Sequence, residues 1–160
     1  MACSDRLWQW TKEVSTAFAH LSKPQMGGLV LWSAGIALAG VAGINQISAL
    51  LAFVLQEQEQ TVFQRFREWY LDAGQKSGQK RRELEVSTCF APLLGWVLRL
   101  WQSEKRQVPL VLDATSLGNR WTILAISVVM SGCAIPVAWK VLPAQQAGSW
   151  RPYWEGLLNA

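Results

Sequence analysis

The most constraining feature of this 160-residue chain is a run of strand-forming sequence over residues 107–143. Valine, isoleucine, leucine, threonine and tryptophan dominate the run, and these side chains favour strands over helices. Turn signals at residues 115–120 and at Ser131-Gly132 divide it, the second as a two-residue hairpin connection. The pattern predicts an antiparallel meander of three strands, at residues 108–114, 121–130 and 133–142.

Two prolines indicate where the strands of this meander lie. Pro109 stands at the start of the first strand, where proline is tolerated. Pro136 lies inside the third strand and cannot donate to a ladder, so we predict that the third strand is a sheet edge. The first strand is then the inner one, and Asp113 is the acid at its end.

Asp113 is the candidate catalytic and metal-binding residue. An acid after a buried apolar strand is costly unless it is paired, solvated at the strand end or bound to a metal. One interpretation is a turn aspartate that caps the amides of Leu117 or Gly118. The other is a ligand of Mg²⁺, which prefers oxygen ligands. Two-metal phosphoryl transfer needs further carboxylates, and Glu155 is the only acid after Asp113.

Composition limits the class of protein. The chain is 51% hydrophobic and 16% charged, and its net charge of +4 mildly favours an anionic partner. The cysteines Cys3, Cys89 and Cys133 are far apart and His20 is the only histidine, which predicts reduced thiols and no zinc site. The N-terminus contains acids and no apolar signal segment. We expect a cytoplasmic protein.

Apolar residues at helical spacing predict a helical first domain. Thr61, with Gln64 three residues later, predicts a helix N-cap with a capping box. The two helices around the polar turn at residues 56–60 resemble a helix-turn-helix in outline. The expected helices lie at residues 4–22, 26–40, 44–55, 61–72 and 85–102. A charged linker at residues 103–107 then divides the chain into two domains, residues 1–103 and 107–160.

Residues 24–56 contain no charged side chain. That length exceeds the roughly 20 apolar residues that cross a bilayer, so a small membrane protein with a span near residues 29–50 is one interpretation. The other is two buried helices joined around residues 40–43. Glycines and the polar residues Asn45, Gln46 and Ser48 favour the buried pair, although membrane spans tolerate such residues.

Basic side chains cluster in and after the fourth predicted helix. Two acids, Glu68 and Asp72, lie among six basic residues, so the local excess of four equals the net charge of the whole chain. Such a cluster suits contacts with phosphate groups, and a solvated charged loop is the alternative. The candidate DNA-binding residues are Arg65, Arg67, Lys76, Lys80, Arg81 and Arg82.

The strand block also carries a resemblance to a known family. It reads LDATSLGNRWTILAISVVMSGCAIPVAWKVLP and is followed by GSWRPYW. This sequence resembles the start of the catalytic domain of DDE-type transposases from bacterial insertion sequences. The upstream segments REWYLDAG and KRRELEVSTCFAPLL and the helical N-terminus are similar to the same family, so the resemblance covers nearly the whole chain.

The resemblance implies an α+β architecture in which an N-terminal helical domain precedes a ribonuclease H-like fold. It implies that the helical domain binds transposon ends and that the family uses Mg²⁺ for DNA strand cleavage and transfer. Asp113 matches the first acid of the family's catalytic triad. The implied partners are DNA and either a second copy of this chain or a full-length transposase.

The departure from the family pattern concerns the other two catalytic carboxylates. In the family, the second aspartate and the glutamate lie on later elements, beyond the third strand. We therefore expect an N-terminal transposase fragment that is inactive alone and retains at most DNA binding. In such a fragment the outer edge of the first strand is unpaired, which is an aggregation hazard.

Overall fold

The computed structural model describes residues 3–76, 82–100, 107–146 and 148–160. These ranges contain six α-helices and one three-stranded antiparallel sheet, which confirms the α+β class. Short 3-10 helices lie at Ala73–Gln75 and Val86–Cys89. The helices are α1 (Cys3–Ala17), α2 (Lys23–Ala39), α3 (Ile44–Leu55), α4 (Glu59–Tyr70), α5 (Phe90–Arg99) and α6 (Arg151–Leu158). The strands are β1 (Leu110–Leu117), β2 (Trp121–Met130) and β3 (Cys133–Pro143).

The chain divides into two compact units, Met1–Glu85 and Val86–Ala160. Sequence predicted the boundary later, at residues 103–107, most of which lie outside the described residues. The observed division falls before α5 because the apolar face of that helix, including Phe90 and Val97, shares a core with β2 and β3. We call the two parts the helical unit and the sheet unit.

The core of the helical unit lies between α3 and α4. Ile47 and Leu51 of α3 meet Val62 and Phe66 of α4, and all four side chains are at most 1% exposed. Trp32 of α2 packs its ring against the ring of Phe66, with 5.1 Å between the centroids. Removing these apolar side chains from water supplies the main stabilising term of the unit.

The uncharged stretch forms two helices, α2 and α3, and not one continuous helix. Gly40 ends α2 in the left-handed region, at φ 67°, and its N–H donates to the Ile36 carbonyl over 2.8 Å. Within the described ranges no single helix is long and apolar enough to cross a bilayer. The pair α2 and α3 meets that standard only jointly, with a bend of 96°. The alternative span near residues 29–50 therefore does not form one helix.

Several helix boundaries differ from their predicted positions. α2 begins at Lys23 and not at residue 26, and α5 begins at Phe90 and not at residue 85. α1 ends at Ala17, before the predicted end at residue 22. α4 begins after Gln58, so Thr61 is not its N-cap, and the predicted capping box is wrong. A Ser-x-x-Gln box occurs instead before α2, where the Ser22 N–H donates to Gln25 Oε1 over 3.0 Å.

The sheet has the predicted meander order, β1-β2-β3. Ser131 and Gly132 both have positive φ, 50° and 80°, which is the two-residue hairpin geometry expected from the sequence. β1 extends to Leu117 because Thr115 and Ser116 continue the ladder with β2. Asp113 consequently lies in the middle of β1, and its predicted position at the strand end is wrong.

Both outer strands are sheet edges, and they differ in character. Pro136 lies in β3 as predicted, next to a bulge where Ser127 pairs with Pro136 while Ile126 pairs with Ala138. β1 pairs with β2 without interruption and is exposed at every residue. No described strand pairs with the outer side of β1, so β1 is not an inner strand in this structure, and its outer edge is unpaired as expected from the sequence. α5 and α6 pack on β3 and leave β1 uncovered.

Candidate functional site

The helical unit contains a cleft of about 1240 Å³ between α2 and α4. The start of α2 forms one wall, from Ser22 to Leu31, and one face of α4 forms the other, from Thr61 to Trp69. Lys76 and Arg82 close one side. The start of α2 carries the positive end of the helix dipole, which favours an anion.

Trp69 fixes the distance between the two walls. Its indole N–H donates to the Gln25 carbonyl over 2.8 Å, and its ring lies directly on Gly28. A Cβ at that position would overlap the ring, so only glycine permits this approach. Trp32, one turn further along α2, also packs against Trp69, with 5.8 Å between ring centroids.

The segment after α4 is tied back to the cleft by Lys76 and Gln25. The Lys76 ammonium donates to the Arg82 carbonyl over 2.6 Å and to the Trp69 carbonyl over 3.5 Å. The Gln25 amide donates to the Glu83 carbonyl over 2.9 Å. These bonds position the backbone of Arg82 and Glu83. Arg82 is exposed at the edge of the cleft.

The charges that line the cleft are mainly positive. Arg65, Lys76 and Arg82 outnumber the single acid Glu68 by three to one. Arg65 forms an ion pair with Glu57 at 2.9 Å, but the two side chains are 42% and 35% exposed, so the pair contributes at most about 1 kcal/mol. Arg65 can therefore exchange this carboxylate for a phosphate at little cost.

The six predicted DNA-binding residues are only partly brought together. Arg65, Lys76 and Arg82 line the cleft, whereas Arg67 does not. Arg65 and Arg67 are two residues apart on α4, which places them on different helix faces. Lys80 and Arg81 lie outside the described residues.

Several residues of the cleft could not be found by sequence reasoning. Gln25, Gln64 and Trp69 line it through contacts between α2 and α4, and Gln25 and Trp69 are 44 positions apart. A partial signal existed in Gly27-Gly28, because glycines inside a helical pattern often mark close packing. The predicted apolar stripe of α4 contained Trp69, but it gave no indication of a cleft.

Asp113 is exposed in β1 and accepts a hydrogen bond of 2.7 Å from the Thr115 hydroxyl. The two residues are neighbours on one face of the strand. The hydrogen-bond partner of Asp113 is thus the side chain of Thr115, two residues on, and not the turn amides considered from the sequence.

The geometry around Asp113 does not fit a two-ion Mg²⁺ site. Across the described ranges, no group of three or more histidine, cysteine, aspartate or glutamate residues could hold a metal ion. Glu155, the other acid among the described residues of the sheet unit, forms an ion pair with Arg151 at 2.6 Å. One exposed carboxylate with a hydroxyl neighbour supplies too few anionic ligands for two such ions.

Cys89 does not have the properties of an activated nucleophile. Burial raises the pKa of its thiol, and a hydrogen bond with Thr88 opposes that effect without overcoming it. A raised pKa reduces the thiolate fraction, and the thiolate is the reactive form. The cleft of the helical unit is therefore the better candidate site.

Fold and site together define an α+β protein in which a helical unit with a basic cleft precedes a sheet unit with an open edge. Comparison with protein-family models finds no match, and neither curated proteins nor solved structures give one.

Proposed function

We propose that this chain is a transposase-type protein whose helical unit binds the sugar-phosphate backbone of DNA in the cytoplasm. The observation that carries the proposal is the basic cleft between α2 and α4. Three of the six candidate basic residues, Arg65, Lys76 and Arg82, line one concave surface together with the start of α2.

The chemistry of the lining supports a phosphate ligand. Guanidinium groups bind phosphate oxygens through paired N–H donors, and the positive end of the α2 dipole favours an anion. Ser22, Thr61 and Gln64 add uncharged hydrogen-bonding groups to the same cleft. Contacts of this kind hold the DNA backbone without reading base sequence.

The arrangement of the sheet unit supports the transposase part of the proposal. The resemblance implies three antiparallel strands in sequential order, with the third at an edge, and the observed sheet has that arrangement. In the same proposal Asp113 corresponds to the first catalytic acid of the family. Since its surroundings do not fit the family's two Mg²⁺ ions, we assign no cleavage step to this chain.

The decisive experiment measures DNA affinity against salt concentration for the full chain and a double variant, Arg65→Ala with Arg82→Ala. Each phosphate contact makes the slope of log affinity against log salt more negative by about 0.9. If both residues contact phosphates, the slope of the double variant is less negative by about 1.8, and affinity falls for all DNA sequences alike.

The matched control removes two positive charges from the sheet unit, Arg120→Ala with Arg151→Ala. This variant has the same net charge as the test variant and should keep the slope of the unmodified protein. A third variant, Glu57→Gln, releases Arg65 from its ion pair and should raise the affinity. Equal slopes for the test variant, its control and the unmodified protein would contradict the proposal.

A further inference from the structure

The outer side of β1 lacks the features that usually protect a sheet edge. Proline, a bulge or a lysine commonly prevents another strand from pairing there. β3 has Pro136, the adjacent bulge and Lys140, whereas β1 has an uninterrupted register from Leu110 to Leu117 and one charge, Asp113. Among the residues that the structure describes, β1 therefore presents a regular hydrogen-bonding edge without these protections.

The register shows which β1 residues point their backbone groups outward. The Val129 N–H donates to the Pro109 carbonyl over 3.0 Å, so these opposed residues form a hydrogen-bonded pair. Such pairs alternate along an antiparallel ladder. The odd-numbered residues of β1 consequently bond to β2. The even-numbered residues turn their N–H and C=O groups to the open edge, and these are Leu110, Leu112, Ala114 and Ser116.

The same residues belong to a face of the sheet that is covered at β2 and uncovered at β1. Leu110 lies opposite Val128 and Leu112 opposite Ile126, and opposed residues share a face. Val128 and Ile126 are buried, at 0% and 4% exposure, but Leu110 and Leu112 are 45% and 49% exposed. A further strand beside β1, with an apolar face of its own, would extend the partly covered surface.

We propose that β1 is a self-association surface, on which a second copy of this chain pairs its own β1 in antiparallel orientation. A two-fold axis perpendicular to the sheet keeps the leucine faces of both copies on one side. It also pairs the β1 residues whose backbone N–H and C=O groups point outward in one copy with the corresponding residues of the other copy. The backbone ladder is then complementary to itself, and the two sheets join into one.

The single charge of β1 selects the register of this pairing. With the axis at Ala114, Asp113 lies opposite the partner's Thr115, whose hydroxyl can donate to a carboxylate. An axis at Asp113 would place the two carboxylates opposite each other, which is destabilising. An axis at Leu112 would place Asp113 opposite the partner's Val111. The Ala114-centred register avoids both mismatches.

The first test is sedimentation of the full chain over a range of concentrations, compared with Ala114→Pro. The Ala114 N–H points outward, so proline there removes a bond to the second copy and none of the bonds to β2, as edge strands tolerate. The unmodified chain should dimerise reversibly, and the variant should raise the dissociation constant about tenfold or more. Circular dichroism should show an unchanged fold.

The register is tested by disulfide trapping, with single cysteine substitutions made in the otherwise unmodified chain. In the proposed pairing the two Ala114 Cα atoms are about 5.5 Å apart, within disulfide reach. The two Leu112 Cα atoms are offset by four residues, about 13 Å. Oxidised Ala114→Cys should therefore give a covalent dimer linked at that residue, identified by mass spectrometry, whereas Leu112→Cys should not.

Two outcomes would overturn the proposal. One is a monomer at all attainable concentrations, and the other is self-association that Ala114→Pro leaves unchanged. Trapping through Leu112→Cys in preference to Ala114→Cys would overturn the register. These results are separable from DNA binding, because the cleft residues lie in the helical unit and every change made here lies in β1.

Discussion

At the scale of single residues, two serines of the helical unit show that the contribution of a hydroxyl to stability depends on its hydrogen-bond partners. Ser48 is fully buried in α3, and its hydroxyl has no hydrogen-bond partner within the described part of the chain. Ser33 in α2 donates to the Leu29 carbonyl over 2.6 Å and accepts the Trp10 indole N–H over 2.8 Å. A buried, unpaired hydroxyl costs free energy, whereas a bonded one contributes to stability.

We predict that Ser48→Ala raises the free energy of unfolding of the helical unit by about 1 kcal/mol, because it removes an unpaired buried polar group. Ser33→Ala makes the same chemical change at a bonded serine and should lower that free energy by about 1 kcal/mol. Urea denaturation followed by tryptophan fluorescence measures both. Destabilisation by Ser48→Ala to the same extent as by Ser33→Ala would contradict this account.

Asp113 could be identified from the sequence as a candidate residue, but its position within the strand could not be predicted. An isolated acid in an apolar run is visible in the sequence. Whether the strand ends there depends on the pairing of Thr115 and Ser116 with β2, which no local pattern decides. The resemblance implied a catalytic identity for Asp113, and that identity stays a prediction.

At the scale of elements, the packing of α2 on α4 depends on one of two adjacent glycines. Gly28 lies against the Trp69 ring, whereas no atom lies within 4 Å of the position that a Cβ on Gly27 would occupy. Both glycines are in the same turn of α2, so they differ mainly in their tertiary surroundings. They form a matched pair for testing the contact.

Gly28→Ala should lower the free energy of unfolding by about 2 kcal/mol, because the new methyl group forces Trp69 away from α2. Gly27→Ala should raise it by about 0.5–1 kcal/mol, because alanine favours the helix more than glycine does. Thermal unfolding followed by circular dichroism tests both. Opposite signs are expected, and a loss of stability in both variants would indicate that helix propensity is not the deciding term at Gly27.

Elements were predictable where the signal is local. The β2 bounds, the Ser131-Gly132 turn and the edge position of Pro136 follow from strand-forming residues and from the missing N–H of proline. The N-cap of α4 was misplaced because Thr61 and Gln64 match the capping-box pattern, which does not require a helix to begin there. The cleft was not predictable, since it forms from contacts between distant segments of the chain.

At the scale of the whole molecule, the basic cleft lies in the helical unit and the candidate acid Asp113 lies in the sheet unit. Three basic side chains, Arg65, Lys76 and Arg82, line a cleft in the helical unit, while the sheet unit offers Asp113 without a carboxylate cluster among its described residues. The two units each have a core of their own, formed from the buried residues of that unit. DNA binding and strand cleavage are therefore separate questions for this protein.

We predict that the purified chain does not cleave transposon-end DNA in the presence of Mg²⁺, because a single aspartate cannot hold the two ions that such cleavage uses. End-labelled DNA incubated with the protein and Mg²⁺, with Asp113→Asn as the matched control, tests this expectation. Both proteins should leave the DNA intact. Cleavage that Asp113→Asn abolishes would show that the carboxylate set is complete without the cluster expected here.

Pro136 and its bulge have a consequence for how far this protein can assemble. A sheet with one open edge and one closed edge can pair with one further copy. That copy then occupies the open edge, so no more copies can be added. Two open edges would give a valency of two, and each copy could then recruit the next until a fibril formed. If β1 pairs as proposed, Pro136, its bulge and Lys140 limit the assembly to a finite pair by closing β3.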